Sequence, residues 1–212
     1  LEIRLLDIAG IFERNKELDA FKQSIAFNFN KFFAGDPKVT KTFVNQRGKT
    51  TSYHPFVFDE AVDVFLNLMT NYDTNEIDPM TGLPIENSSK NTGFPYTQAK
   101  AWTNFSDTLW MLPNINAALA LHAKLLEHPA FHGVAIVNAT GNNDSGDPLR
   151  DVQEAIANND RTITLSLGKL TTGTTVPEWT SVFLLNDMKS PMSYFQTIFR
   201  AKSKGTLRDG RP

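Results

Sequence analysis

The chain has 212 residues, 41% of them hydrophobic, and a formal net charge of −2 at pH 7. This is enough for one domain, or one domain with an appendage, and the near-neutral charge excludes a global attraction to nucleic acid. Zero cysteines exclude disulfides and thiolate metal sites. No apolar run reaches the roughly 18–20 residues of a membrane span, and the charged start is unlike a signal peptide. We expect a cytoplasmic protein with no membrane partner, cut from a longer chain.

Residues 1–97 are expected to form a linker or insertion segment. Leu1, Ile3 and Leu5 alternate with charged residues, which indicates a short strand. The spacing of Val62, Phe65 and further apolar residues predicts a helix over 59–70. Residues 13–30 carry mixed helix and strand signals. Residues 37–56 and 71–97 are polar, and we expect both to be loop-rich.

A Gly-Lys-Thr sequence at Gly48–Thr50 invites comparison with a phosphate-binding loop. The full motif needs a glycine five residues before the second one, and that position is Phe43. No apolar strand is predicted before the sequence and no helix after it. A solvated turn is therefore the expected structure here.

From residue 98 the pattern becomes a regular alternation. The predicted strands are 108–112, 134–139, 162–167 and 181–185, and the predicted helices are 115–127, 149–158 and one that begins at Ser190-Pro191. Strands separated by helices predict an α/β fold with a mostly parallel sheet and helices on both faces. The carboxyl ends of such strands share one edge, where ligands bind. The polar loops at 113–114, 138–141, 170–175 and 186–190 should therefore converge.

The last helix and the loop before it are the clearest candidates for phosphate contact. Gln196 and Arg200 are four residues apart and so share one helical face, whereas Phe195, Ile198 and Phe199 are available for the apolar face. The Thr/Gly-rich loop lies at the end of a predicted strand. Together they form a plausible pair of phosphate-contacting elements.

In this order, the segments TLWMLP, VAIVNATG, TITLSLGKL, TTGTTVP, SVFLLND and SPMSYFQTIFRAKS resemble the second RecA-like lobe of superfamily-two helicases. They look closest to the translocase subunits of restriction enzymes. The resemblance covers residues 98–203, with a polar tail at 204–212. TTGTTVP resembles the family's motif V, SYFQTIFRAKS its motif VI, and TLWMLP stands where motif IV would.

The resemblance implies a motor lobe that shares ATP and Mg²⁺ with a first RecA-like lobe in the same full-length chain. Arg200 would be the arginine finger, and Gly173, Thr175 and Gln196 would line the ATP site. Thr140, Gly141, Thr171 and Thr172 would contact the phosphates of double-stranded DNA. Because no phosphate loop or acidic motif II is present, the chain alone is expected not to hydrolyse ATP.

This sequence departs from the family pattern at Phe199, where motif VI has glycine, and at Ser203, where it has a second arginine. An alternative is therefore a non-catalytic nucleic-acid-binding or interaction module with a RecA-like fold. The four histidines lack metal-ligand spacing, and we expect no metal site of the chain's own. His122 is expected to be structural, and the three tryptophans are expected to pack in the core or between lobes.

Overall fold

The computed structural model describes residues 28–70, 105–140, 146–168, 170, 176–188 and 190–199. The helices are α1 (Phe29–Phe32), α2 (Asp59–Thr70), α3 (Ile115–Glu127), α4 (Pro148–Asn158) and α5 (Pro191–Ile198). The strands are β1 (Lys41–Val44), β2 (Thr50–Tyr53), β3 (Asp107–Met111), β4 (Ala135–Asn138), β5 (Thr162–Ser166) and β6 (Ser181–Leu184). A 3-10 turn, Pro129–Phe131, follows α3. The four strands predicted after residue 98 and helices α2, α3 and α4 are confirmed to within one residue at each end.

The last four strands form one parallel sheet in the order β4-β5-β3-β6. Each is short, and the two central strands are completely buried, as expected for strands covered on both faces. The α/β class predicted from the sequence is confirmed. The proposed boundary at residues 97–98 falls outside the described residues.

One face of the sheet packs against α1, α2 and α3. Trp110 points to this face, and it meets Phe131 and Phe183 with ring centroids 6.2 and 5.3 Å apart. Phe33 of the first segment and Phe65 of α2 add further rings, with their centroids 6.3 Å apart. Residues 29–70 therefore share a hydrophobic core with the sheet. Because each fully buried large side chain contributes about 1.5–3 kcal/mol, this face supplies much of the folding energy.

The opposite face packs against α4 and the described end of the β5–β6 connection. Val152 of α4 and Trp179 of the connection lie over Leu109 and Met111 of β3. At the start of the strands, Asp107 is buried and accepts hydrogen bonds from the hydroxyls of Ser106 and Thr162, both at 2.9 Å. Helices thus cover both faces, which confirms the sequence-based prediction.

Residues close in sequence fix both the start and the end of α3. The side-chain oxygen of Asn114 accepts from the Ala117 N–H at 2.8 Å and caps its start, whereas His128 ends it before a proline. His128 Nδ1 accepts from the Ala130 N–H at 3.2 Å, so its Nε2 carries the proton toward Asn67 Oδ1 at 3.0 Å. Burial, with His132 and Lys124 nearby, lowers the pKa of His128 to about 4. His128 is therefore neutral near pH 7.

Residues 41–53 form an antiparallel hairpin, so the prediction of a loop-rich stretch over 37–56 was wrong here. The strands consist mainly of Thr, Ser and Lys, and their alternation is too polar to stand out in the sequence. Gly48 lies in the tight turn at φ +80°, a conformation that favours glycine. The Gly-Lys-Thr sequence therefore belongs to an exposed hairpin turn, as expected, and not to a phosphate-binding loop.

Within the described residues, no helix is both long enough and apolar enough to cross a membrane.

Candidate functional site

The candidate site is the edge of the sheet where the four parallel strands end. Asn138 of β4 is level with Leu165 of β5, and Met111 of β3 is level with Ser166 of β5 and Leu184 of β6. The pairing of β3 with β6 continues for one more hydrogen bond, because the Leu185 N–H donates to Met111 O at 2.9 Å. The described loops after these strands therefore meet at one edge, as the sequence indicates.

Thr140 lies at this edge, two residues after the end of β4, and it is half-buried. Its N–H and its hydroxyl both donate to Asn138 Oδ1, at 3.1 and 2.7 Å. Asn138 thereby holds the start of the following loop in place. For Thr140 to offer the same donors to a phosphate, the phosphate oxygen would have to replace the Asn138 side chain.

Helix α5 follows the last strand and begins as the sequence predicts. Ser190 is its N-cap, its side chain accepts from the Ser193 N–H at 3.4 Å, and Pro191 is the first helical residue. Gln196 is exposed on this helix. No described residue covers its side chain, so a ligand can reach it.

The burial of α5 differs from the prediction. The sequence makes Phe195 and Phe199 available for an apolar face, but they are 53% and 52% exposed, and their stacked ring centroids are 6.4 Å apart. The fully buried position is Thr197, whose hydroxyl donates to Ser193 O at 2.8 Å. Thr197 can be buried because its hydroxyl is hydrogen-bonded within the helix. The hydrophobicity of the sequence alone does not reveal that this residue, and not a phenylalanine, faces the protein.

Six of the eight predicted site residues lie outside the described part of the chain, and their positions remain predictions. They are Gly141, Thr171, Thr172, Gly173, Thr175 and Arg200. The structure therefore describes only Thr140 and Gln196 of this set, which follow β4 and β6, the two outer strands of the sheet.

Asp187 is a residue at this edge that sequence reasoning missed. Its carboxylate accepts from the N–H groups of Phe29 and Asn30, at 3.3 and 3.0 Å. It thus joins the end of β6 to the first turn of α1, more than 150 positions earlier in the chain. An acidic residue favours a helix start, but the distance in sequence conceals the pairing.

Over the ranges that the structure describes, no cluster of three or more His, Cys, Asp or Glu residues could hold a metal ion. A cavity of about 480 Å³ lies elsewhere, beside β4, where the β1–β2 hairpin meets α3 and α4. Gln46, Arg47 and Asp151, which line it, were not singled out from the sequence. Their only sequence signal is polarity, which solvated loops and helix faces share.

No family model matches the chain, and no solved structure matches it. The chain is 36% identical over 125 residues to a Mycoplasma pneumoniae protein named "Putative type II restriction enzyme and methyltransferase RM.MpnORF110P C-terminus". The match covers 54% of this chain and 17% of the relative. The chain therefore spans about a sixth of the length of this curated relative. The match supports a relation to a restriction-modification protein.

Proposed function

We propose that this chain is the second motor lobe of an ATP-dependent double-stranded-DNA translocase within a restriction-modification enzyme. The observation that carries the proposal is the motif order on an α/β framework: the strands that bear the motifs are parallel and end at one edge. The similarity to a relative named as a restriction enzyme and methyltransferase supports the restriction-modification context. The RecA-like assignment of the fold and a cytoplasmic location belong to the same proposal.

In this proposal, ATP and Mg²⁺ are held mainly by the first RecA-like lobe of the full-length chain. Arg200 reaches the transferred phosphoryl group and neutralises its developing charge. Gln196 is exposed on α5, four positions before Arg200 in the sequence, which suits contact with the nucleotide or the other lobe. Gly173 and Thr175 approach from the loop after β5.

DNA phosphates would be contacted by backbone N–H groups and hydroxyls at the same edge. Thr140 and Gly141 follow β4, and Thr171 and Thr172 follow β5. A local set of neutral donors is consistent with the net charge of −2, which gives no overall attraction to DNA. The Asn138 side chain would then act as a stand-in acceptor that the phosphate displaces from Thr140.

The test is Arg200→Ala in the full-length protein. An arginine finger is worth about 10³–10⁵-fold in turnover, so DNA-stimulated ATP hydrolysis should fall by at least 10³-fold while DNA binding is retained. Lys202→Ala, two residues away, is the matched control and should leave turnover within about threefold of wild type. Near-wild-type hydrolysis in Arg200→Ala would contradict the finger role.

A second candidate is a non-catalytic nucleic-acid-binding or interaction module with the same fold. Phe199 and Ser203 favour it, since they replace the glycine and second arginine of motif VI. This candidate predicts that Arg200→Ala changes neither ATP turnover nor its stimulation by DNA. It also predicts that no phosphate loop and no acidic box precede this segment in the full-length protein.

A further inference from the structure

The cavity of about 480 Å³ lies against the open edge of the sheet, away from α5. β4 is the outermost described strand on this side, and the outward backbone of residues 133–138 forms one wall. The hairpin covers it from above, α3 lies on one side and α4 on the other. Its volume is in the range of roughly 300–1,000 Å³ that is typical of small-molecule sites.

The side chain of Gln46 shows what this edge can bind. Its amide N–H donates to Val134 O at 2.8 Å, and its Oε1 accepts from the Ile136 N–H at 2.7 Å. The planar amide of Gln46 thus pairs with the carbonyl of Val134 and with the N–H of Ile136, two residues further along the strand. The amide occupies the place that a neighbouring strand's peptide group would take.

The next donor–acceptor pair of the same kind opens into the cavity. The N–H groups of Ala135 and Ala139 donate to β5, at 3.0 and 2.8 Å, so the groups of Ile136 and Asn138 point away from β5. Within the part of the chain described, no acceptor is recorded for the Asn138 N–H and no donor for Ile136 O. This pair lies about 6.6 Å along the strand from the one that Gln46 fills, which leaves room for a ring beside the amide.

The side walls of the cavity suit a flat ring with a polar substituent. Phe43 of the hairpin and His122 of α3 line it with ring centroids 5.0 Å apart, and Ala155 of α4 lies on the other side. At the α4 side, Arg47 contacts Asp151 at 2.5 Å and Glu154 at 3.9 Å. The cavity thus combines apolar walls with a strand edge and a charged rim.

From this geometry we infer a second ligand site, separate from the nucleotide site of the proposed motor, that binds an aminopurine base. The exocyclic N–H of the base donates to Ile136 O, and the adjacent ring nitrogen accepts from the Asn138 N–H, which repeats the contacts of Gln46. A primary carboxamide has the same pair of groups but leaves most of the 480 Å³ unfilled. An aminopurine has the same pair of groups, and its rings also fill the space between the aromatic wall and Ala155.

Calorimetry and amide NMR on the chain, with adenosine as the probe, test this site. Adenosine lacks phosphates, so it does not depend on Arg200 or on a first motor lobe. We expect saturable binding that shifts the Asn138 amide resonance, and at least tenfold weaker binding of N6,N6-dimethyladenosine, which lacks the donor. Equal affinity for the two nucleosides, absence of saturable binding, or tighter binding of nicotinamide would overturn the assignment.

Two substitutions on one helix locate the site. Ala155→Trp fills the cavity and should weaken adenosine binding at least tenfold, whereas Ala157→Trp makes the same change at an exposed position outside the cavity. Unchanged binding in Ala155→Trp, or equal loss in both, would contradict the inference. Should Ala155→Trp fail to fold, Thr51→Trp from the hairpin with Ser52→Trp as its control gives the same comparison.

Discussion

The two faces of the parallel sheet are covered in different ways. One face lies under three helices and a set of buried rings that includes Phe33, Phe65 and Trp110. The other lies under one helix and an irregular connection, with Trp179 as its large aromatic residue. The first face therefore buries more apolar side chains in regular structure than the second face does.

Strand β5 shows this difference within five residues. Ile163 and Leu165 point into the aromatic core, whereas Thr162, Thr164 and Ser166 alternate to the other face and are also buried. Within the described residues, the Thr164 hydroxyl and the Trp179 indole N–H have no hydrogen-bond partner. Since a buried unsatisfied group costs about 1–3 kcal/mol, these two groups reduce what the second face contributes to the free energy of folding.

Large-to-small substitutions give the largest expected contrast between the faces. Phe65→Ala, in the aromatic core, should lower the free energy of unfolding by about 3–5 kcal/mol because it leaves a ring-sized cavity. Val152→Ala, under the other face, should cost about 2 kcal/mol. Urea unfolding measures both, and an equal or reversed loss would contradict the proposed difference.

Acid should destabilise the aromatic face through His128. The pKa of His128 is lowered from 6.5 to about 4, so the unfolded chain binds its proton first as the pH falls. This stability is complete above pH 6.5 and declines toward pH 4, by roughly 3 kcal/mol at most. Unfolding measured at pH 7 and pH 4.5 should show a smaller pH effect in His128→Gln than in wild type. His132 contributes to the lowered pKa of His128 less than burial does, so His132→Gln should reduce the pH effect by less than His128→Gln does.

Substitutions of Asp107 test the polar contacts at the start of the strands on the other face, and their expected effect on stability is smaller. Asp107→Ala removes the acceptor of the Ser106 and Thr162 hydroxyls, and the loss should be about 1–3 kcal/mol. Asp107→Asn keeps one acceptor oxygen and should cost less. Thermal unfolding of the two variants distinguishes a hydrogen-bonding role from a general requirement for size, under which both would behave alike.

The sequence is informative where packing follows periodicity. Apolar runs bounded by turn residues identify the four parallel strands, and the stripe on α2 gives that helix its limits, because core contact is what maintains both patterns. The caps Asn114 and Ser190 act within their own helix starts, so they too can be predicted.

Contacts between distant segments are what the sequence conceals. The hairpin at 41–53 has polar strands, and its role appears only when Gln46 meets β4, about 90 positions later. The exposure of Phe195 and Phe199 likewise depends on which side of α5 meets the rest of the molecule. No local pattern records either choice. Of the predicted edge site, the shared position of the strand ends could be inferred, but its hydrogen bonds, such as Asn138 to Thr140, could not.

The Gln46 amide has a consequence for solubility. An outer strand with unpaired N–H and C=O groups is a template on which a strand of another copy can add. The Gln46 side chain already bonds to Val134 O and to the Ile136 N–H, so a strand from another copy cannot pair with these two groups of β4. We therefore expect that replacing Gln46 with leucine, which cannot make these two hydrogen bonds, promotes self-association at high concentration.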